Sequence, residues 1–573
     1  MQHLLGGFNR SMSSNLVFQC AELAAEIFNH LAPGPLSQKD TVQYRWLRSD
    51  RQRSLARAAR VCRLWSVPAL DVLWRVVDDV RDLLRVLPCI CNDEGFIVLQ
   101  RDVTPAEWER FQRYADRVCE LRWCSPPRDP GPFSADEEDA AVPIPSSVWE
   151  AISEWCRREG RSEMCPRLQR VACFPAPTQA DTGALILLSP TVCDLSISIQ
   201  DTLEPIAMSE LFSPTHPLFA SLQSFAISRG EFDVCGTYLT TAEGTYDLLN
   251  LENFAALQHL DIGTTPISVN QDLVALFERW GLRSLTLEIK GIDDDVAALQ
   301  ARPRGGGLHD TLRELHIKGD PALLGRFAEC AVGPGLEELG VHFTFDASSD
   351  GAALRQVRNV YSRIMERTPS LISSVSVKLS RIGRVIRFSA IDFLRPLLPK
   401  AGLRHIAISC GHPYIQLCRG DMLEFAHAWP YLATLRVDWH GVHPDIIRLH
   451  AEIHHQDPPL VGDLVSFAEA HPELKYLALP SLSARSMPRI QEVPVLGHGL
   501  EVLYVRSIQE PDEGRLDHSQ SFHLALLLDR MFPDLVLCRS EFRGMRKWEG
   551  RWYTVERALL ALQTGRRGTH YYF

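Results

Sequence analysis

Leu312-Arg-Glu-Leu315-His-Ile317 is a six-residue phrase: leucine, two residues, an apolar residue, one residue, an apolar residue. Upstream the phrase reads Leu222-Gln-Ser-Phe225-Ala-Ile227, Leu257-Gln-His-Leu260-Asp-Ile262 and Leu282-Arg-Ser-Leu285-Thr-Leu287. Downstream it returns as Leu336-Glu-Glu-Leu339-Gly-Val341, Leu403-Arg-His-Ile406-Ala-Ile408, Leu432-Ala-Thr-Leu435-Arg-Val437, Leu474-Lys-Tyr-Leu477-Ala-Leu479 and Leu500-Glu-Val-Leu503-Tyr-Val505. Weaker copies begin at Leu168, Val192 and Ile372, the faintest at Val118. From Val192 onward the starts lie roughly 24 to 42 residues apart. The closing apolar pair alternates with its neighbours, as a half-buried strand requires. Between phrases lie helical patterns, for example Asp272–Trp280 and Gly420–Trp429. Each unit is therefore a short strand followed by a returning helix. One such unit cannot bury its own apolar face, whereas stacked units share a continuous core.

The phrase resembles that of leucine-rich repeats in an irregular form. The asparagine that follows it in regular repeats is mostly missing, with Gly263 after Ile262 for instance. The resemblance implies an α/β solenoid, with parallel strands on a concave face and helices outside. The repeat domain is expected over residues 166–547, with a capping helix and tail over 548–573. Three stretches break the rhythm: the Pro-rich acidic segment Ser125–Pro145, the glycine-rich turn Arg302–Gly307, and Pro444–Pro459. The first reads as a surface loop. The second lacks the Lys-Ser/Thr and the spacing of a phosphate-binding loop.

A different pattern precedes the repeats. In Arg53–Val77, Leu55, Ala58, Ala59, Cys62 and Trp65 recur at three- and four-residue steps, which predicts one helix face, with Arg57, Arg60 and Arg63 opposite. Ser66 is placed to cap a second helix whose first turn holds Pro68. Leu70, Leu73, Trp74 and Val77 continue that helix. Upstream, Leu23, Ile27, Phe28 and Leu31 share the face of a helix that ends before Pro33-Gly34-Pro35. A long link, from about Ala32 to Arg53, separates it from the next helix.

Ala21–Leu31 together with Ala56–Val77 resembles the F-box, a helical adaptor-docking module. Glu22-Leu23, Glu26-Ile27-Phe28, Leu31, Val61-Cys62, Trp65 and Leu73-Trp74 stand in the places of its motif. Gln19-Cys20 stand where the family has its opening Leu-Pro. The pairing of VC-x-x-W with LW is the form written by fungal members. The likeness covers residues 16–87, leaving 88–165 as a transition segment. It implies a substrate-recognition subunit of an SCF-type cullin–RING ubiquitin ligase. A Skp-type adaptor and its cullin complex would bind through Leu23, Ile27, Phe28, Leu31, Val61, Cys62, Trp65, Leu70, Leu73 and Trp74, and an unknown protein substrate through the repeats. The alternative is a non-ubiquitin interaction scaffold with a degenerate F-box.

Composition narrows the classes further. The 573 residues can bury a sizeable core, and 45% of them are hydrophobic. A net charge of −11 argues against general affinity for nucleic acid. The local exception is an arginine band, Arg45, Arg48, Arg51, Arg53, Arg57, Arg60 and Arg63, read as a solvated helix face or a contact for an acidic partner. The apolar run Ala184–Leu188 is far below the roughly 18–20 residues of a membrane span. The N-terminus lacks a signal-peptide layout. Fifteen scattered cysteines read as reduced, buried thiols in the cytosol or nucleus. His440, His443, His450, His454 and His455 cluster near Asp438 and Glu452 without the spacing of a metal site, and Cys89/Cys91 and Cys119/Cys124 lack a second pair. No nucleophile elbow, zinc-protease helix or dinucleotide fingerprint occurs. The expectation is a binding protein with no catalytic residue, metal or cofactor.

Overall fold

The computed structural model describes residues 20–32, 42–93, 96–122, 144–175, 183–199, 221–229, 254–293, 308–344, 351–380, 387–410, 414–439, 458–509, 517–537 and 549–567. The segments 302–307 and 440–457, and most of 125–145, lie outside them. The chain divides into two compact units, Met1–Leu260 and Asp261–Phe573.

The first described elements of the first unit are three helices, α1 (Ala21–His30), α2 (Val42–Ala58) and α3 (Arg63–Leu73). Strand β1 (Val76–Val77) follows at once, and a hairpin, β2 (Ile90–Asp93) with β3 (Phe96–Leu99), comes next. Strands β4 (Glu120–Arg122), β5 (Arg170–Pro175), β6 (Asp194–Ile199) and β7 (Ser224–Arg229) join β1 in one parallel sheet, in sequence order. The sheet therefore starts at Val76, inside the stretch read as F-box. It runs through the supposed transition segment, in which the faint phrase at Val118 supplies β4.

The second unit repeats the plan. Strand β8 (His259–Val269) spans the division between units. After it come β9 (Ser284–Ile292), β10 (Glu314–Gly319), β11 (Glu338–Phe343), β12 (Ser374–Leu379), β14 (His405–Cys410), β16 (Thr434–Trp439), β17 (Tyr476–Ser483), β18 (Val502–Gln509) and β19 (Val536–Leu537), parallel and in sequence order. The short strands β13 (Arg387–Ser389) and β15 (Tyr414–Gln416) pair separately. Helices return between strands and form a second layer: Pro321–Ala331 packs on β9 and β10 and on the helix Gly351–Arg367. Local chemistry sets their ends. Asn270 accepts the N–H of Leu273 at the start of Gln271–Trp280, and Gly281, at φ +63°, closes that helix in the left-handed region. Asp320 caps Pro321–Ala331 in the same way, with proline in the first turn. The result is an α/β stack of the leucine-rich-repeat kind.

The phrase decides what each residue does. Its first residues, Leu282, Leu312, Leu336, Ile372, Leu403, Leu432, Leu474 and Leu500, form a column no more than 1% exposed. The fourth residues, Leu285, Leu315, Leu339, Val375, Ile406, Leu435, Leu477 and Leu503, form another. Burying each such side chain contributes about 1.5–3 kcal/mol. The second residue supplies a backbone rung. Arg283 O accepts the N–H groups of both Arg313 (2.8 Å) and Glu314 (2.9 Å), and Arg313 O accepts those of Glu337 and Glu338. The same double acceptance continues through Glu337, Ser373, Arg404, Ala433 and Lys475. In the first unit it runs through Arg75, Cys119, Gln169, Cys193 and Gln223. Arg75 lies within the helical stretch, so Trp74-Arg-Val-Val77 is itself a repeat phrase with tryptophan in the leucine place.

Two local expectations are corrected. The helices meet at Ala59–Cys62 and not at Ser66: Cys62, at φ −159°, is the N-cap of α3, and the Ser66 N–H already donates to Cys62 O. Pro68 lies inside α3, where its ring forgoes one helical bond. Trp65, Ala69 and Val72 explain this placement: they lie at i, i+4 and i+7 and pack on the α1 core only if the helix is continuous through Pro68. Much of the presumed link before Arg53 is likewise helix, since α2 begins at Val42.

Candidate protein-docking surface

The three helices close around Ala24 and Phe28 of α1, Leu55 of α2, and Ala69 and Val72 of α3. Leu31, Ala32, Ala58, Ala59, Trp65 and Leu73 pack against this core half-buried. The rings of Phe28 and Trp65 meet edge to face at 5.6 Å. Of the ten residues expected to touch an adaptor, the structure thus turns Phe28 inward, at 3% exposure, and half-buries Leu31, Trp65, Leu70 and Leu73. Trp74 belongs to the first repeat and packs on the Tyr114 ring at 4.9 Å.

The other four stand outside. Leu23 is 46% exposed, Ile27 49% and Val61 64%, and Cys62, next to Val61 in the chain, is exposed as well. Two more apolar side chains, missed in the sequence, share this condition: Leu64 at 38% and Val67 at 55%. The misassigned helix start hid them; once α3 begins at Arg63, both point away from the face that holds Trp65, Ala69 and Val72. Arg57, Arg60 and Arg63 are exposed in the same stretch, and none of the three guanidinium groups pairs with a carboxylate among the described residues.

Arg48 of the band, with Arg75 and Arg117 beyond it, has structural work. Arg48, 4% exposed, reaches Asp78 just beyond β1, with Nη2–Oδ1 at 2.5 Å and Nε–Oδ2 at 3.0 Å. Gln52 donates to the same carboxylate at 3.1 Å. Arg117, ahead of β4, holds Asp71 of α3 at 2.6 Å, and Arg75 donates to Asn29 of α1 at 2.9 Å. The helical module is therefore clamped to the first repeat. Arg48 departs from the reading of the band as a solvated face.

A second surface lies on the outward side chains of the sheet in the second unit. Lys318, His342 and Lys378 occupy one row across β10, β11 and β12. Lys318 pairs with Glu288 at 2.8 Å, and His342 Nε2 meets Ser380 Oγ at 2.7 Å. Burial, then the Lys378 and Lys318 ammonium groups, push the His342 pKa down to about 3, so the ring is neutral. One row away, His316 lies over Gly340 and meets Glu338 at 3.3 Å; a Cβ at Gly340 would stand 2.0 Å from His316 Nδ1. The glycine between Leu339 and Val341 thus makes room for a histidine on the neighbouring strand.

Cys89, Cys156, Cys165 and Cys410 are buried, and burial pushes the Cys156 thiol up to about 11, away from thiolate chemistry. Among the described residues no three His, Cys, Asp or Glu side chains converge as a metal site requires. Of the histidine-rich cluster only Asp438 is described, paired with Arg436 at 2.6 Å. No helix among the described residues is long and apolar enough to cross a membrane.

No protein-family model and no curated protein matches this chain. Among solved structures it is similar to a leucine-rich-repeat protein of Leptospira interrogans, at 11% identity over 80% of this chain and 79% of that one, with a TM-score of 0.26. It is also similar to the leucine-rich-repeat-containing protein LegL7 of Legionella pneumophila, at 11% identity over 58% of this chain and 97% of that one, with a TM-score of 0.24. At such TM-scores these likenesses carry no weight of their own, and the fold rests on the strand register, the buried columns and the rungs.

Proposed function

We propose that this chain is a substrate-binding subunit of an SCF-type cullin–RING ubiquitin ligase. The helical module docks on a Skp-type adaptor, and the repeat array holds a target protein. The work is binding and positioning, without bond chemistry of its own. The observation that carries the reading is the exposed apolar set Leu23, Ile27, Val61, Leu64 and Val67 on a module whose inner faces are already packed. Five such side chains on α1, the α2–α3 turn and α3 are the kind of anchors that dominate protein contacts once desolvated. The clamp through Arg48 and Asp78 favours the same reading, because an adaptor-bound module would carry the first repeat with it.

The test uses the full chain and a purified Skp-type adaptor. The wild type is expected to retain the adaptor, and Val61→Asp and Leu64→Asp each to weaken retention by about tenfold or more, since a carboxylate would then be buried unpaired. Equal retention by wild type and both variants would sink the docking assignment. The second reading, an interaction scaffold with a degenerate module, is favoured by Gln19-Cys20 in the place of Leu-Pro. A folded wild-type chain that retains no adaptor selects it.

A further inference from the structure

Arg57, Arg60 and Arg63 sit at the end of α2, in the turn and at the start of α3, within seven residues of one another and interleaved with Val61, Leu64 and Val67. The other described charges of the module are engaged. Arg48 holds Asp78, Arg53 holds Asp50 at 3.2 Å and Arg117 holds Asp71. Arg51 reaches Ala32 O, and Glu26 lies 3.7 Å from His30 on α1. The three guanidinium groups, unpaired among the described residues, are thus a local cationic edge on a chain whose net charge is −11. Glu22 and Glu26 border Leu23 and Ile27 on α1, so these two carboxylates lie on a different helix from the three arginines.

We propose that the α2–α3 turn is the electrostatic edge of the docking surface, and that the protein it receives carries carboxylates beside an apolar groove. This rests on the docking reading above and specifies the chemistry of the partner's edge. An acidic partner is repelled by the chain as a whole and drawn to this edge, which orients the encounter before the apolar side chains engage. A basic partner would meet like charge at the point of contact. A second copy of this chain docked through the same patch would bring the two arginine sets face to face. Charges at the rim of an interface act chiefly on the association rate, while buried apolar anchors act on dissociation. The two parts of the surface are therefore separable by kinetics.

The experiment measures association and dissociation of purified Skp-type adaptor with full-length chain at about 50 mM and about 500 mM NaCl, between which screening shortens the electrostatic reach severalfold. Four proteins are compared: wild type, Val61→Asp, the triple variant Arg57→Glu/Arg60→Glu/Arg63→Glu, and the triple lysine variant Arg57→Lys/Arg60→Lys/Arg63→Lys. The glutamate variant is expected to associate about tenfold more slowly at low salt, with dissociation nearly unchanged and the difference gone at high salt. The lysine variant is expected to match wild type, which separates charge from packing. All three positions are exposed, so the substitutions leave the core untouched. A wild-type association rate that ignores salt, or a glutamate variant as fast as wild type, overturns the inference while leaving the docking assignment standing if Val61→Asp still weakens binding. A wild type that binds no adaptor at either salt overturns both.

Discussion

His342 shows how one residue reports on the sheet around it. Its half-buried ring is bonded to Ser380 and flanked across the register by Lys318 and Lys378; loss of hydration, then the two ammonium groups, keeps it uncharged. Histidine in an unfolded chain titrates near 6.5. Between that value and about 3, the unfolded chain takes up a proton that the folded chain refuses. Stability from this residue is therefore fully present above pH about 6.5 and is lost progressively as the pH falls toward about 3. Burial lowers the pKa of His471 as well, so it acts in the same direction. Urea midpoints taken from pH 7.5 down to 4.5 are expected to fall, and His342→Gln to flatten the decline; an unchanged slope in that variant would assign the acid sensitivity elsewhere. Gly340 gives a second expectation at this scale. Gly340→Ala pushes the His316 ring off the sheet and away from Glu338, for a loss of about 1 kcal/mol. In a His316→Ala background that loss is expected to vanish, as a double-mutant cycle would record.

Among the elements, α3 carries the most tension. Its apolar face, Trp65, Ala69 and Val72, requires a continuous helix, and Pro68 interrupts the bonding of that helix. Pro68→Ala restores an N–H able to reach Leu64 O and is expected to raise stability by about 2 kcal/mol, the helix-interior penalty of proline less its restraint on the unfolded chain. A lower unfolding midpoint would mean that Pro68 packs more usefully than it bonds. The Arg48–Asp78 clamp gives the opposite expectation. Asp78→Ala removes the two charge-assisted hydrogen bonds that the 4% exposed Arg48 makes to this carboxylate, at about 2 kcal/mol, measurable by urea unfolding. These elements also mark where the sequence could and could not be read. The phrases at Leu282 through Leu500 were legible because their first, fourth and sixth places admit only apolar side chains. The first repeat was not, because Trp74 replaces leucine and β1 is two residues long. The α3 start was misread because Ser66 and Pro68 mimic a cap, and the signal against it is tertiary, in the packing of Trp65 on Phe28. The exposed set was legible in part: Leu23, Ile27, Val61 and Cys62 are outside as the motif implies, while Leu64 and Val67 follow only from the corrected helix.

For the molecule as a whole, the module cannot be cut from the array at the boundary that sequence suggests. Removing residues up to Leu87 takes β1 away and leaves β4 as an open edge, with the buried side chains of Val118 and Leu121 beside it. Such a truncated chain is expected to aggregate at concentrations where the full chain stays in solution, as light scattering would show, whereas the point variants Val61→Asp and Leu64→Asp are expected to scatter as wild type does. A soluble, cooperatively unfolding truncated chain would mean that the first rung is dispensable. The rungs have one further consequence. Each rests on a main-chain carbonyl shared by two amides, joined at Glu337 by the Ser373 hydroxyl and at Gln169 by the Cys193 thiol, and residues as different as Arg75, Cys119, Gln169, Ser373 and Ala433 supply that carbonyl. Substitution at these positions leaves the carbonyl and its two amides in place, so neighbouring strands keep their register whatever side chain is written there.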